Sequence, residues 1–288
     1  MAITAAMVKE LREMTDAGMM ECKKALTEAE GDMEKAVDIL RTRGLAAAAK
    51  KAGRATNEGR ILAKVCPTCG SAAIVEVNCE TDFVAINEKF GEYCSKIASA
   101  VILNDPADVD ALKVSLFDGE PVDAILTDAI HVIGENMQVR RFKRVAATEN
   151  GAIVAYNHMN NKIGVLVSFE VEGIDADTEP FQAYGKNVAM QVAAMPPVAA
   201  NRDAVPADVI EHEMEIYKAQ AAESGKPENI QIKIAEGRME KFYKENCLTE
   251  MVYVKDNEKT IQQYTDAVAK ELGGSIKVID FVRFALGE

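Results

Sequence analysis

The sequence is poor in cysteine and histidine, holds no long apolar run, and has fewer basic than acidic residues. Six cysteines in 288 residues are too sparse for a disulfide framework. The three histidines, at 131, 158 and 212, show no paired spacing of the kind a metal or catalytic cluster needs. No stretch approaches the roughly 18 apolar residues that span a bilayer. The opening "MAITAAMVKELREMT" carries charges where a signal peptide needs its apolar core, so a cytoplasmic protein with reduced thiols is expected. With 33 Lys and Arg against 46 Asp and Glu, the formal net charge of −13 disfavours direct nucleic-acid binding. No G-x-x-x-x-G-K-[ST] or G-x-G-x-x-G loop, G-x-S-x-G elbow or H-E-x-x-H helix occurs, so no enzymatic site is visible.

What is present is apolar periodicity, with 48% hydrophobic residues supplying ample core. Residues 4–44 read as three short helices: Thr4 caps the first, "TDAG" (15–18) breaks it, and "GD" (31–32) separates the next two. Val8, Leu11, Cys22, Ala25, Leu26, Ala36, Val37 and Leu40 form their shared core. The following "LAAAAKKAGRATNEGR" reads as a partly helical linker.

From residue 59 the chain repeats itself. Gly59, Ile61, Ala63, Ile74 and Val75 match Gly151, Ile153, Ala155, Leu166 and Val167. Phe90, Tyr93, Ile97, Ala98 and Val101 match Phe181, Tyr184, Val188, Ala189 and Val192. Each copy predicts a β-hairpin of alternating apolar residues followed by an amphipathic helix. Residues 121–136 predict a helix and "MQVRRFKRVA" a strand. Residues 207–223 and 227–245 form two helical runs split by "SGKP", an αα-hairpin projecting from the second copy with too few apolar residues for a core of its own. A helix near 258–272 and a strand in "SIKVIDFVRFALGE" finish an α+β chain. It divides into a module and linker (1–55), a first core unit (56–148), a second core unit (149–205 and 246–288) and an inserted, coiled-coil-like helical hairpin (206–245).

Three local features invite a function. Cys66 and Cys69, in "CPTCG", have the spacing of half a zinc knuckle or of a redox pair, but zinc needs about four ligands and no second Cys-x-x-Cys exists. In the repeat they fall on "HMNNK" (158–162), so an ordinary hairpin tip is the simplest reading. In "NCETDFVAINEKF" (78–90), Asn87 caps the helix beginning near Glu88 and leaves Thr81, Asp82, Phe83 and Val84 on its approach. Phe83 is off the helix stripe. General burial statistics make it core or staple, whereas exposure beside an acid would suit an interface hot spot. Adjacent Met19 and Met20 point about 100° apart on a helix, so a narrow stripe holds one and leaves the other partly exposed. His158 is expected at an exposed tip.

The stretches "TAAMVKELREMTDAGMMECKKAL" (4–26), "VNCETDFVA" (77–85), "HVIGENMQVRR" (131–141), "KIGVLV" (162–167) and "EGRMEKF" (236–242) resemble, in order, the elongation factor Ts family. The resemblance implies a ubiquitin-associated-like (UBA-like) N-terminal module, two related β-hairpin/helix core subdomains and an inserted helical hairpin. It also implies a guanine-nucleotide exchange factor, with no cofactor and no covalent chemistry, whose partner is the GTPase elongation factor Tu in its GDP-bound and nucleotide-free forms. By the same carry-over Thr81, Asp82, Phe83 and Val84 enter the partner near its Mg²⁺ and nucleotide. Arg12, Met19 and Met20 touch its GTPase domain, and His158 faces another of its domains. "CPTCG" is no hallmark of the family. This sequence ends at "FVRFALGE", where some members continue into a further helical contact segment, and whether the helical hairpin dimerises is left open. Two competing readings remain: a tethering adaptor acting through residues 4–44, which leaves the Thr-Asp-Phe-Val segment and the doubled core unexplained, and a zinc or thiol enzyme centred on Cys66 and Cys69.

Overall fold

In the computed structural model, which describes residues 3–15, 17–223 and 225–288, the first three helices are α1 (Ala5–Thr15), α2 (Met19–Glu28) and α3 (Met33–Lys51). The Thr4 hydroxyl accepts from the Met7 N–H at 3.3 Å, and the Asp32 carboxylate accepts from the Lys35 N–H at 3.1 Å. These caps satisfy amides that would otherwise lack partners. Asp16 of the anticipated break and Ser224 of the "SGKP" turn lie outside the described residues. Val8, Leu11, Cys22, Ala25, Leu26, Ala36 and Leu40 are buried together as the periodicity requires, and Val37 packs against them half-buried.

The stretch read as a partly helical linker is helix over its first seven residues, because α3 runs on to Lys51, and its last three residues, 58–60, already belong to a strand. Its small residues let it lie against a later helix. A Cβ on Gly44 would sit 3.6 Å from the His131 Cβ, and the Lys51 ammonium donates to the Ile130 carbonyl at 3.1 Å.

Strands β1 (Glu58–Val65) and β2 (Ser71–Cys79) form an antiparallel hairpin. The chain continues through α4 (Asp82–Ala85), α5 (Glu88–Asn104), α6 (Val109–Val114), the short ribbon β3 (Leu116–Phe117) and β4 (Glu120–Pro121), and α7 (Val122–Ile133). Strand β5 (Met137–Ala146) completes a sheet of order β1-β2-β5. The second copy supplies β6 (Gly151–His158), β7 (Ile163–Glu172) and α8 (Glu179–Ala194). Helices α9 (Ala207–Ala222) and α10 (Glu228–Asn246) pack on one another, followed by the ribbon β8 (Val252–Tyr253) and β9 (Asp256–Thr260). Helix α11 (Ile261–Leu272) leads to β10 (Ser275–Ala285), which joins a sheet of order β10-β7-β6.

The layers follow from which residues each strand presents. Ala73, Val75, Val77 and Cys79 of β2 are buried with Phe90, Tyr93, Cys94, Ile97, Ala98 and Val101 of α5. Val165, Val167, Phe169 and Val171 of β7 are buried with Phe181, Tyr184, Val188, Ala189 and Val192 of α8. On the opposite faces Ile61, Ala63, Ala72 and Ile74 of the first sheet meet Ile153 and Leu166 of the second. The order is helix, sheet, sheet, helix. Strand β2 is therefore buried at every residue instead of alternating, because a helix covers one face and a sheet the other. Gly164 marks a close approach between the sheets, where an added Cβ would lie 2.6 Å from Ile61 Cγ2.

Polar groups join the two sheets. The Asn157 amide copies a strand along the outer edge of β1, its Oδ1 accepting from the Ala63 N–H at 2.8 Å and its Nδ2 donating to the Ala63 carbonyl at 2.9 Å. The Asn161 carbonyl accepts from the Ile61 N–H at 2.7 Å. Glu76, fully buried, accepts from Arg140 Nη1 at 2.9 Å and Arg141 Nε at 2.6 Å. Arg141 also donates to the Ala285 carbonyl at 3.1 Å and lies over the Phe284 ring. At the base of the helical hairpin, Arg202 holds the Glu240 carboxylate with two bonds of 2.8 Å and pairs with Glu250. Farther out on the hairpin, Ile230 and Ile232 are exposed, in line with the sparse apolar content read from the sequence.

Candidate partner-binding site

The segment 81–84 is the first helical turn after β2. Thr81 has extended backbone (φ −125°, ψ 156°), and its hydroxyl accepts from the Val84 N–H at 3.4 Å, making it the N-cap of α4. Glu135, just beyond α7, holds this cap from behind. One carboxylate oxygen accepts from the Glu80 and Thr81 N–H groups, each at 3.0 Å, and the other accepts from the Thr81 hydroxyl at 2.6 Å. Glu80 in turn accepts from the Asn136 N–H at 2.6 Å, and that bond, with Arg54 3.3 Å away, holds its carboxyl below the usual range. From the other side Arg60 Nε donates to the Ala85 carbonyl at 3.0 Å. Gly91 leaves room for this guanidinium, since a Cβ there would fall 2.0 Å from Arg60 Nη1.

On this fixed base the four side chains diverge. Ala85 is buried and Val84 packs half-buried against the first core, which fixes the rotation of the turn. Asp82 and Phe83 consequently point outward. Phe83 is 79% exposed and Ile86, one turn on, is 58% exposed. The burial expected for Phe83 from general statistics is thus overturned: with Val84 and Ala85 filling the space beneath α4, the aromatic ring has no inward direction left. An exposed phenyl ring forgoes about 1.5–3 kcal/mol of burial free energy. Such a group on a hydrogen-bonded, preorganised turn suits capture by a partner, because little loop entropy remains to be lost.

Arg12, Met19 and Met20 are all exposed on the N-terminal helices. The expectation that one methionine would enter the core fails, with Met19 59% and Met20 64% exposed. The buried stripe of α2 begins only at Cys22, and Ala17, just before the helix, is buried while both methionines face out. His158 is half-buried rather than fully exposed at its tip. Its Nδ1 is 2.8 Å from the Tyr156 hydroxyl and the two rings stack with centroids 5.6 Å apart. Met159, Asn160 and Asn161 turn the tip with φ of 50°, 54° and 65°, a left-handed conformation asparagine adopts readily. His158 and Thr81–Val84 belong to different copies of the repeat, and Arg12, Met19 and Met20 to the N-terminal helices.

A family model described as "Elongation factor TS" matches residues 80–288. Along nearly the whole length, the chain is 50% identical over 292 residues to elongation factor Ts of Trichlorobacter lovleyi, covering 100% of this chain and 94% of that protein. It is 47% identical over 289 residues to elongation factor Ts of Clostridium kluyveri, covering 99% and 93%. The same name belongs to a relative from Nautilia profundicola, 47% identical over 287 residues with 99% and 93% covered.

The chain belongs to the elongation factor Ts family. Membership makes it a protein of translation elongation. Among the described residues no helix is long and apolar enough to cross a membrane, and no three His, Cys, Asp or Glu side chains group as metal ligands. The intrachain zinc reading of Cys66 and Cys69 therefore finds no further ligands. The two sulfurs are bonded to each other at the tip of the β1–β2 hairpin, contrary to the reduced state expected for them. The residue that sequence reasoning missed in this member of the elongation factor Ts family is Glu135. It lies within "HVIGENMQVRR", yet nothing in local spacing connects Glu135 to a threonine 54 positions earlier. Arg60 was missed for the same reason.

Proposed function

We propose that the chain is a guanine-nucleotide exchange factor that binds elongation factor Tu·GDP and promotes GDP release by disturbing its Mg²⁺ and phosphate site. The observation that supports this most is Phe83, projecting from a turn whose backbone is held by Glu135 and Arg60. A GTPase holds GDP through phosphate contacts and a Mg²⁺ that orders its switch segments. Phe83 supplies an apolar wedge that repacks partner side chains around the ion, while Asp82 competes for polar groups there. Thr81 and Val84 anchor the pair from opposite ends of the turn. Binding the nucleotide-free partner more tightly than the GDP form weakens GDP binding by the same factor. No covalent intermediate and no cofactor of its own is involved.

In this reading Arg12, Met19 and Met20 contact the GTPase domain, where adaptable methionine side chains fit a moving surface. His158, oriented by Tyr156, meets another domain of the partner. The chain works in the cytoplasm as a UBA-like module with its linker (1–55), two related core subdomains (56–148; 149–205 with 246–288) and an inserted helical hairpin (206–245) that is available for dimerisation. Direct contact with nucleic acid is not required.

The deciding experiment follows fluorescent GDP leaving elongation factor Tu at fixed Mg²⁺, with the parent protein and with Phe83→Ala. Strong acceleration by the parent, reduced in a folded variant, supports the wedge. Equal acceleration by both moves the work to other contacts, and no acceleration by the parent refutes the exchange reading and returns the tethering adaptor.

A further inference from the structure

Cys66 and Cys69 lie at the opposite end of the β1–β2 hairpin from Thr81, since Val65 pairs with Ala72 at one end and Glu58 with Cys79 at the other. Eight strand residues separate the two ends by roughly 25 Å at about 3.3 Å per residue. Nothing in the exchange reading uses them. Their backbone is nonetheless held in place. The Cys66 N–H donates to the Ser71 carbonyl at 2.8 Å, and the Gly70 carbonyl accepts from the Ala147 N–H at 2.8 Å. The Cα atoms stand 5.6 Å apart, within the usual span of a disulfide.

We propose that Cys66 and Cys69 form a reversible thiol–disulfide exchange site whose substrates are low-molecular-weight thiols and disulfides. Three observations support it besides the bond itself. First, Cys69 is exposed at the tip while Cys66 is half-buried, so an incoming thiolate meets the Cys69 sulfur. Second, the Cys69 N–H donates to Cys66 Sγ at 3.1 Å, and the Thr68 hydroxyl is 3.7 Å from the same sulfur. An amide hydrogen bond stabilises a thiolate, making Cys66 the better leaving group. Third, the other four cysteines, Cys22, Cys79, Cys94 and Cys247, are all buried. Burial pushes the thiols of Cys79 and Cys94 up to about 12 and that of Cys247 up to about 11, which keeps them protonated and out of competition.

The chemistry balances without any further group. A small thiolate attacks Cys69 Sγ, a mixed disulfide forms there, and the electron pair of the broken bond leaves on Cys66. A second small thiolate then attacks the mixed disulfide and releases Cys69. The small molecules end as one disulfide, and the two protons they lose are taken up by the two cysteine thiolates. Oxidation is the reverse: Cys69 attacks a small disulfide, and Cys66 then displaces the second thiol from Cys69.

The test places the full-length protein in glutathione mixtures of increasing oxidised fraction and alkylates it while folded, with mass spectrometry locating the free thiols. The expected result is that Cys66 and Cys69 lose alkylation together and recover it on reduction. In the reduced protein they should react at least tenfold faster than any of the other four. The variant Cys66→Ser should accumulate a single glutathione on Cys69, because the displacing thiol is gone. A Cys66→Ser/Cys69→Ser protein with unchanged circular dichroism shows that the tip is not needed for folding. The proposal is overturned if the pair alkylates equally in reduced and oxidised glutathione, or if Cys66→Ser gathers no adduct. It is also overturned if the reduced protein carries zinc that leaves as Cys66 and Cys69 are alkylated, which would assign the pair to a metal shared between chains.

Discussion

The two copies of the repeat differ in the connection between hairpin and helix. In the second copy, residues 173–178 link β7 to α8 by a tight loop: Gly173 turns at φ 73°, the Thr178 hydroxyl bonds the Asp175 carbonyl at 2.7 Å, and Ile174 packs against the core beneath it. In the first copy, residues 80–87 link β2 to α5, long enough for the additional helical turn α4, and its aromatic residue faces outward. The same scaffold thus carries a sealed connection once and a projecting one once. Loops positioned by a rigid frame are where binding residues concentrate, and here the projecting connection is the one that offers an exposed aromatic ring.

Phe83→Ala should break this contrast most severely. Stimulated GDP release from elongation factor Tu should fall roughly 30-fold, the size of an aromatic hot spot of about 2 kcal/mol, with the melting temperature unchanged because the ring is exposed. A stopped-flow trace with a fluorescent nucleotide reads the rate. Glu135→Ala tests whether the turn must be held. It leaves the Glu80 and Thr81 N–H groups without their acceptor, and a fall of about tenfold in the same assay is expected, with partial recovery in Glu135→Gln. Ile174→Ala should do the reverse of Phe83→Ala: a loss of about 1–2 kcal/mol in urea unfolding, below the range for a fully buried isoleucine, and an unchanged exchange rate. The smallest effect concerns Glu80. Its carboxyl is held below its ordinary value of 4.5, so its stabilisation is complete above that pH and disappears as pH falls through the lower folded value. Acid unfolding of Glu80→Gln should lack that component.

Sequence reading succeeded where many residues vote for the same answer. The stripe from Phe90 to Val101 located α5, and the Asn87 cap is real, its side chain accepting from the Lys89 and Phe90 N–H groups at 2.9 and 3.4 Å. "MQVRRFKRVA" matches β5 residue for residue. Elements too short for a period were invisible: α4 spans four residues, and β3 and β4 two each. Where a single side chain points is a still weaker signal: residue type misplaces Phe83, the 100° spacing misplaces one of Met19 and Met20, and nothing local reveals the Tyr156 bond to His158. Support from a distance, as in Glu135 behind Thr81, depends on the finished fold and leaves no local trace.

The amide of Asn157 that completes the edge of β1 has a consequence for how the molecule is made. It reaches across 94 positions of sequence, so at synthesis speeds of about 5–20 residues per second β1 leaves the ribosome roughly 5–20 s before its edge can be covered. During that interval the strand presents free N–H and C=O groups that other chains can pair with. The asparagine is thus a late closure, and the first half of the protein is most open to mispairing while the second is still being translated.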